Sequence, residues 1–451
     1  LGSFEESVRS RIVPDREARQ AVNSVLDALL ALSRERVEQS GLHVNVVTVG
    51  SLAKDTYLSR PDLDLFFCFP VDHPRKDFKK DGLDLVRSVL PDGQEAYAQH
   101  PYIKGNYGGY DVDLVPCYDV EDPEHLITAV DRTPHHTRFV VDHLGSDQKD
   151  EVRFLKQFMK GVGVYGAEIR VQGFSGYLTE LLVIRLGSFR EVLEAASGWR
   201  EGVHLDIPGK GSVADFSEPM VFIDPVDRSR NVASPVSNDS LNIFIRAARE
   251  YLENPRESFF FPNEPKPVSL QRFEEVLNER KLHIMGISWP TPDMLEDNLY
   301  GQLRRLSNTV GRMLKKNLIP PLDSTFSADG ELLVLFELEN LNTPLVITHE
   351  GPPEGHSHQQ RFLSRWKNDP QAASEPYLKN GRWHVDRKGN IPARDLIRSF
   401  MADRDPHDPF FAPYFKSGSV QADEELWRDE RAHILARFLK KTPPWEDTWT
   451  Q

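Results

Sequence analysis

The chain has 451 residues, 39% of them hydrophobic and 27% charged, and a formal net charge of −14. That composition excludes a disordered or collagenous chain and leads us to expect a folded protein of two to four domains. No apolar run is long enough to cross a membrane, no secretory leader pattern opens the sequence, and a cytoplasmic location is expected. The acidic balance argues weakly against nucleic acid as a partner, although local charge matters more than the sum.

In chain order, Pro14 and Asp15 start a predicted helix running to Ser33, with Val22, Val25, Leu29 and Leu32 at helical spacing. An apolar strand, His43 to Val49, leads into Gly50-Ser51. Gly50 lets backbone approach a bound group closely, and Ser51 offers a hydroxyl and an amide to phosphate. Next comes Pro61-Asp62-Leu63-Asp64-Leu65-Phe66-Phe67, predicted as a strand. Alternation puts the carboxylates of Asp62 and Asp64 on one face and the leucines on the other. Such a pair repels itself unless a positive charge sits between, and a hard divalent cation is the usual partner.

A helix is predicted over Leu83 to Leu90, then strands at Glu95 to Gln99, Tyr102 to Tyr107 and Tyr110 to Cys117. Asp113 on the last strand joins the carboxylate pair if the two strands are neighbours. Cys68 and Cys117, the only cysteines, each follow an aspartate strand and read as buried, reduced core residues. Pro134 and the polar cluster around it are expected to lead out of the sheet.

The helix Lys149 to Gly161 carries Lys149, Arg153, Lys156 and Lys160 at spacings of four, three and four, a stripe of one sign suited to a triphosphate or an RNA backbone. A further helix, Tyr177 to Leu186, is predicted to be capped by Ser175. A short strand and turn at Val221 to Asp227 and a helix from Ser240 to Leu252 follow. The proline-rich, charged stretch Asn254 to Pro267 is the expected linker.

Beyond it, a strand (His283 to Ser288), a long helix (Asp293 to Lys316) and strands at Glu331 to Glu339 and Pro344 to Thr348 suggest a small α+β module of the ferredoxin or RNA-recognition type. Arg304, Arg312 and Lys316, with Arg305 and Lys315, make a basic flank on the long helix. The stretch from Pro352 to Asn390 is polar and irregular. A terminal helix is expected over Glu424 to Lys441.

Gly50-Ser51, Asp62-Leu63-Asp64 and a later strand aspartate resemble the polymerase-β-type nucleotidyltransferases. With Val112-Asp113-Leu114-Val115-Pro116-Cys117-Tyr118, Ala129-Val130-Asp131-Arg132-Thr133-Pro134, Tyr165-Gly166-Ala167-Glu168, Gly173-Phe174-Ser175-Gly176-Tyr177 and Asp224-Pro225-Val226-Asp227 added, the chain resembles the archaeal-type (class I) CCA-adding enzymes from about Val44 to Ala233. The C-terminal third is similar only in outline.

The resemblance implies an α+β, multidomain protein: a catalytic domain with a mixed sheet (1–142), a helical nucleotide-binding domain (143–262) and a C-terminal tRNA-binding α+β domain (263–451). It implies template-independent addition of C, C and A to the tRNA 3′ end from CTP and ATP. Asp62, Asp64 and Asp113 would hold Mg2+ for two-metal transfer with release of pyrophosphate. Ser51, Lys156 and Tyr165 would grip the triphosphate, with Lys54 where the family often has arginine. Thr133 and His136 would sit near sugar and phosphates, and Arg230 would read the base edge. Asp62 stands where some members have glutamate.

Lys149 and Arg153, with Arg304, Arg312 and Lys316, are the expected contacts to the tRNA acceptor stem and 3′ end. No membrane partner is expected, and a homodimer is compatible with this reading. The alternatives are another polymerase-β-type transferase, such as a poly(A) polymerase or an oligonucleotide synthase, and a non-catalytic RNA-binding relative.

Overall fold

The computed structural model describes residues 3–97, 101–208, 215–292, 296–403 and 412–446. Two compact units result, one reaching Glu264 and joined again by the stretch from Thr442, the other spanning Pro265–Lys441. The break between Glu264 and Pro265 falls inside the expected linker.

The first unit opens with α1 (Ser3–Ile12) and α2 (Arg16–Ser40). The Asp15 side chain accepts from the Ala18 amide and starts α2, and Gly41 at φ +69° ends it, two turns beyond the predicted stop at Ser33. Then come β1 (Asn45–Thr48), the one-turn α3 (Gly50–Ala53), β2 (Leu63–Phe69), α4 (Arg75–Val89), β3 (Gln94–Tyr97), β4 (Pro101–Tyr107) and β5 (Tyr110–Tyr118). The predicted strand end at Ala98 and Gln99 lies outside the described residues.

The sheet order is β1-β2-β5-β4-β3. β2 and β5 run parallel, and the other neighbours are antiparallel. The sheet is therefore mixed, as expected. Leu63, Leu65, Phe67, Val112 and Leu114 pack beneath it with Val22, Leu29 and the buried side of α4. Cys68 and Cys117 lie opposite each other in the parallel pair, both free and buried.

Pro134 does lie in the connection out of the sheet, within a helix. It sits in the first turn of α5 (Arg132–His143), where a missing N–H costs nothing. Asp131 anchors that helix: its carboxylate accepts from the amides of Tyr118, Ile127 and Thr128.

α6 (Gln148–Gly161), α7 (Gly176–Leu186), α8 (Phe189–Ser197) and α9 (Asn238–Glu253) follow, with the small pair β6 (Val203–Leu205) and β7 (Met220–Phe222) between the last two. Phe154, Leu155, Phe158 and Met159 are buried in one core with Leu181, Phe189, Phe244 and Tyr251. Val8 and Ile12 of α1 and Trp445 from the C-terminal return close the same core. Ser175 caps α7 as predicted, accepting from the Leu178 amide.

The second unit contains α10 (Leu270–Arg280), β8 (His283–Pro290), α11 (Glu296–Lys316), β9 (Asp323–Ser327), β10 (Glu331–Leu338), β11 (Val346–Pro353), α12 (Gln359–Trp366), β12 (Tyr377–Lys379), β13 (Arg382–Lys388), α13 (Ala393–Asp403), α14 (Ala412–Phe415), β14 (Ser419–Ala422) and α15 (Ala432–Leu439). The predicted start of the long helix at Asp293 lies outside the described residues.

The antiparallel sheet β14-β8-β10-β9 is covered by α11 through Leu299, Leu303, Leu306, Val310 and Leu314. The α+β character holds, but the strand membership differs from expectation. The segment around Pro344 to Thr348 enters a separate sheet, β11-β13-β12, whose other two strands come from the stretch between Pro352 and Asn390. The four-stranded sheet is completed by β9 and β14, both short and polar. The terminal helix is shorter than expected: α15 begins only at Ala432, after two single helical turns.

Candidate active site

Parallel pairing of β2 with β5 sets Asp64 opposite Asp113. In-register residues of neighbouring strands point to the same face, so both carboxylates leave the sheet together. Antiparallel β4 extends the row by placing Lys104 opposite Asp113. Asp62 sits exposed, just ahead of β2. Gly50 has φ +73°, and a methyl group there would overlap the Asp64 carboxylate. This position requires glycine on both counts.

Burial, then the neighbouring Asp113 and Asp62, push the Asp64 carboxyl up to about 7, against the pull of Lys54 and Lys104. Among the described residues, no three His, Cys, Asp or Glu side chains form a ready-made cation cage. The aspartates make a crowded acidic face instead.

That crowding fixes the sign of a pH effect. Unfolded, Asp64 ionises near 3.8; folded, near 7. Between those values the folded state holds a proton that the unfolded chain has lost, so stability falls as pH rises through the window. At about 1.4 kcal/mol per unit, and discounted for the solvent Asp64 still meets, the loss amounts to about 2 kcal/mol. Denaturant unfolding of metal-free protein from pH 4 to 8 should show this slope, and Asp64→Asn should flatten it. Parallel profiles for the two proteins would contradict it.

Facing this row are side chains of α6, α7 and the loop after α3. Glu180, on α7, is fully buried. Its Oε2 accepts from Lys54 Nζ at 2.5 Å, and its Oε1 from Thr56 Oγ1 at 2.5 Å and Lys156 Nζ at 3.2 Å. Burial would raise the Glu180 carboxyl, but Lys54 and Lys156 outweigh it and hold it low. Burial likewise lowers the Lys156 ammonium, against the pull of Glu180. A Cβ at Gly176 would lie 3.1 Å from the Tyr165 hydroxyl and 3.9 Å from Lys156 Nζ, so both groups border Gly176. Lys160 lies over the Tyr165 ring, 5.4 Å from its centroid.

The cationic stripe of α6 does not face solvent as a unit. Arg153 is buried and committed: its guanidinium binds the Tyr57 carbonyl at 2.9 Å, Asp55 Oδ1 at 2.6 Å and Asp150 at 2.8 Å. It cannot be the RNA contact the sequence reading expected, because every edge of its fork is used inside the protein. Lys149 is half-buried and pairs with Asp55 at 3.3 Å. Lys156 is buried against Glu180.

His136 and Arg230 gather around Asp224. His136 Nε2 and Arg230 Nη1 reach the same carboxylate oxygen, at 2.8 and 2.9 Å. Tyr177 stacks on His136 with ring centroids 4.0 Å apart. Burial lowers the His136 pKa despite its bond to Asp224. For Asp224 burial acts upward, yet the bond from His136 and the other donors hold it at about 2. Thr133 lies partly exposed in the first turn of α5.

The sequence reading assigned no role to Glu180, Asp224, Tyr177 or Lys104. Glu180 carries a signal as a lone acid inside the apolar run Leu178 to Ile184, and Tyr177 and Asp224 lie in blocks that carry the family resemblance. A charge inside a buried helix demands partners.

On the second unit, Arg312 and Lys316 are exposed along α11, and Arg304 is partly exposed over the Phe326 ring at 5.5 Å.

Residues 30–136 match the model of the nucleotidyltransferase domain, and 150–261 that of the second domain of tRNA nucleotidyltransferase. The class is therefore nucleotidyltransferase. Residues 280–405 match the C-terminal domain of CCA-adding enzymes. The chain is 36% identical over 398 residues to the CCA-adding enzyme of Haloarcula marismortui, covering 84% of this chain and 85% of that one. It is 39% identical to that of Methanosarcina barkeri, covering 85% of each. To that of Methanoregula boonei it is 34% identical, covering 98% of this chain and 96% of that one. A cytoplasmic RNA terminal U-transferase of known structure is similar at 16% identity, with a TM-score of 0.43 over 57% of this chain and 96% of that one. The chain belongs to the CCA-adding enzyme family.

Proposed function

We propose that the chain adds C, C and A in turn to the 3′ end of tRNA, from CTP and ATP, with release of pyrophosphate. The observation that carries this reading is the in-register pair Asp64 and Asp113 beside Gly50, on a chain that matches CCA-adding enzymes over most of its length.

Asp62, Asp64 and Asp113 fit divalent cations, here Mg2+: the donor set is all oxygen, and the mutual repulsion that raises Asp64 calls for positive charge. When bound, the cations neutralise the triphosphate and acidify the primer 3′-hydroxyl. Asp113 accepts the hydroxyl proton. Ser51, Lys54, Lys156 and Tyr165 hold the triphosphate, and the two lysines turn part of their charge to it from Glu180. Thr133 and His136 line the sugar side. Arg230 donates to the base edge, where a guanidinium can distinguish C and A from other bases.

Incubation with tRNA lacking its terminal CCA tests the reading. CTP alone should add two residues and stop, and ATP should act only on the CC end. Long runs from a single nucleotide would favour a poly(A)-polymerase-like activity instead.

In this reading α11 supports the duplex of the acceptor stem through phosphate contacts. Replacing Arg304, Arg312 and Lys316 together with glutamate should weaken tRNA binding and reduce the slope of log affinity against log salt by about 1 to 3. Affinity for free nucleotide should not change. Superimposable salt plots for the two proteins would take this helix off the RNA.

A further inference from the structure

The Asp224 carboxylate is a four-way junction. Its Oδ2 accepts from His136 Nε2 at 2.8 Å and Arg230 Nη1 at 2.9 Å. Its Oδ1 accepts from Tyr177 Oη at 3.2 Å and the Val226 amide at 3.0 Å. The side chain is fully buried, whereas that of Arg230 stays 32% exposed. Three separate pieces of chain, α5, α7 and the turn after β7, thus meet on one carboxyl group.

Two chemical consequences follow. A carboxylate only accepts, so the His136 proton must sit on Nε2, which leaves Nδ1 as the free acceptor of a neutral ring. Arg230 gives one N–H to Asp224 and keeps the rest of a rigid fork for whatever lies at the surface. Arg132 lies close enough for the two guanidiniums to repel, and it leans on Asp227 at 3.5 Å. Asp224 is the carboxylate that pairs with Arg230 against that repulsion, while Asp227 pairs with Arg132.

We propose that Asp224 is the positioning residue of nucleotide selection, acting through Arg230 and His136 by fixing the direction of the guanidinium and the tautomer of the imidazole. This rests on the reading that Arg230 donates to the base. Asp224 itself touches no substrate.

Asp224→Asn tests it. The amide oxygen can still accept from Val226 and Tyr177, so the turn is preserved. Its NH2 would face two donors, so His136 must take the other tautomer and Arg230 must move away. The readout is selectivity: kcat/KM for CTP against ATP on tRNA lacking CCA, and again on tRNA ending in CC, with inhibition by pyrophosphate as the measure of triphosphate affinity.

Asp224→Asn should lower discrimination at least tenfold with pyrophosphate inhibition unchanged. The double variant with Arg230→Ala should discriminate no worse than Arg230→Ala alone. If Arg230→Ala blurs the choice and Asp224→Asn does not, the proposal fails while the role of Arg230 stands. If neither blurs it, both fall. An equal loss for both nucleotides with selectivity intact would make Asp224 merely structural and overturn the proposal. Should Asp224→Asn not fold, Tyr177→Phe serves. It removes one bond to Oδ1, keeps the stack on His136, and should lower discrimination about threefold; unchanged selectivity there also overturns the proposal.

Discussion

Asp113→Ala is expected to lower turnover on the order of a thousandfold, about 4 kcal/mol of transition-state stabilisation, while nucleotide affinity stays within a few fold. Asp113 stands between Asp64 on β2 and Lys104 on β4. Removing it relieves the repulsion on Asp64, so the fold should not suffer. A group needed only while the 3′-hydroxyl attacks contributes to kcat and little to KM. Single-turnover extension with CTP, beside equilibrium binding of CTP, separates the two. Near-normal turnover would end the three-carboxylate account.

Glu180→Ala should produce the largest loss of stability, on the order of 3 to 5 kcal/mol, because it strands the ammonium groups of Lys54 and Lys156 in a buried site. The lysines are only 8% and 2% exposed, and the glutamate not at all. The carboxyl is held below its usual range, so its stabilisation is present above the unfolded pKa near 4.5 and fades as pH falls through the lower folded value. Triphosphate supplies replacement negative charge and should recover part of the loss by binding the folded state. Thermal unfolding of wild type and variant, each with and without CTP, checks both statements. A variant as stable as wild type without ligand would mean that the lysines leave Glu180 freely.

Much of this was legible from the chain. Alternation at Asp62, Leu63, Asp64 and Leu65 gave the carboxylate face because a strand has a period of two, and both leucines are fully buried. Ser175 and Asp15 cap helices because their oxygens satisfy amides that a helix cannot. The α6 stripe shows the limit. Spacing places four cations on one face, but only tertiary packing decides that the loop from Lys54 to Tyr57 covers Lys149, Arg153 and Lys156 and leaves Lys160 exposed. Hydrophobic pattern could not show it, since the covering groups are carbonyls, a hydroxyl and Asp55. β9 and β14 escaped for a related reason: each is short and polar, and its place in the sheet comes from pairing with a long apolar neighbour.

The Asp224 junction draws in His136 and Tyr177 from 88 and 47 positions away, beyond any local pattern. The local members are Val226 and Arg230, two and six residues away in the same turn.

The measurement closest to the central claim is sequencing of the 3′ ends of tRNA lacking CCA after incubation with Mg2+ and all four nucleoside triphosphates. One product ending in CCA, with no further growth, is what this account predicts. Tails of A or U, or ends extended past CCA, would contradict it.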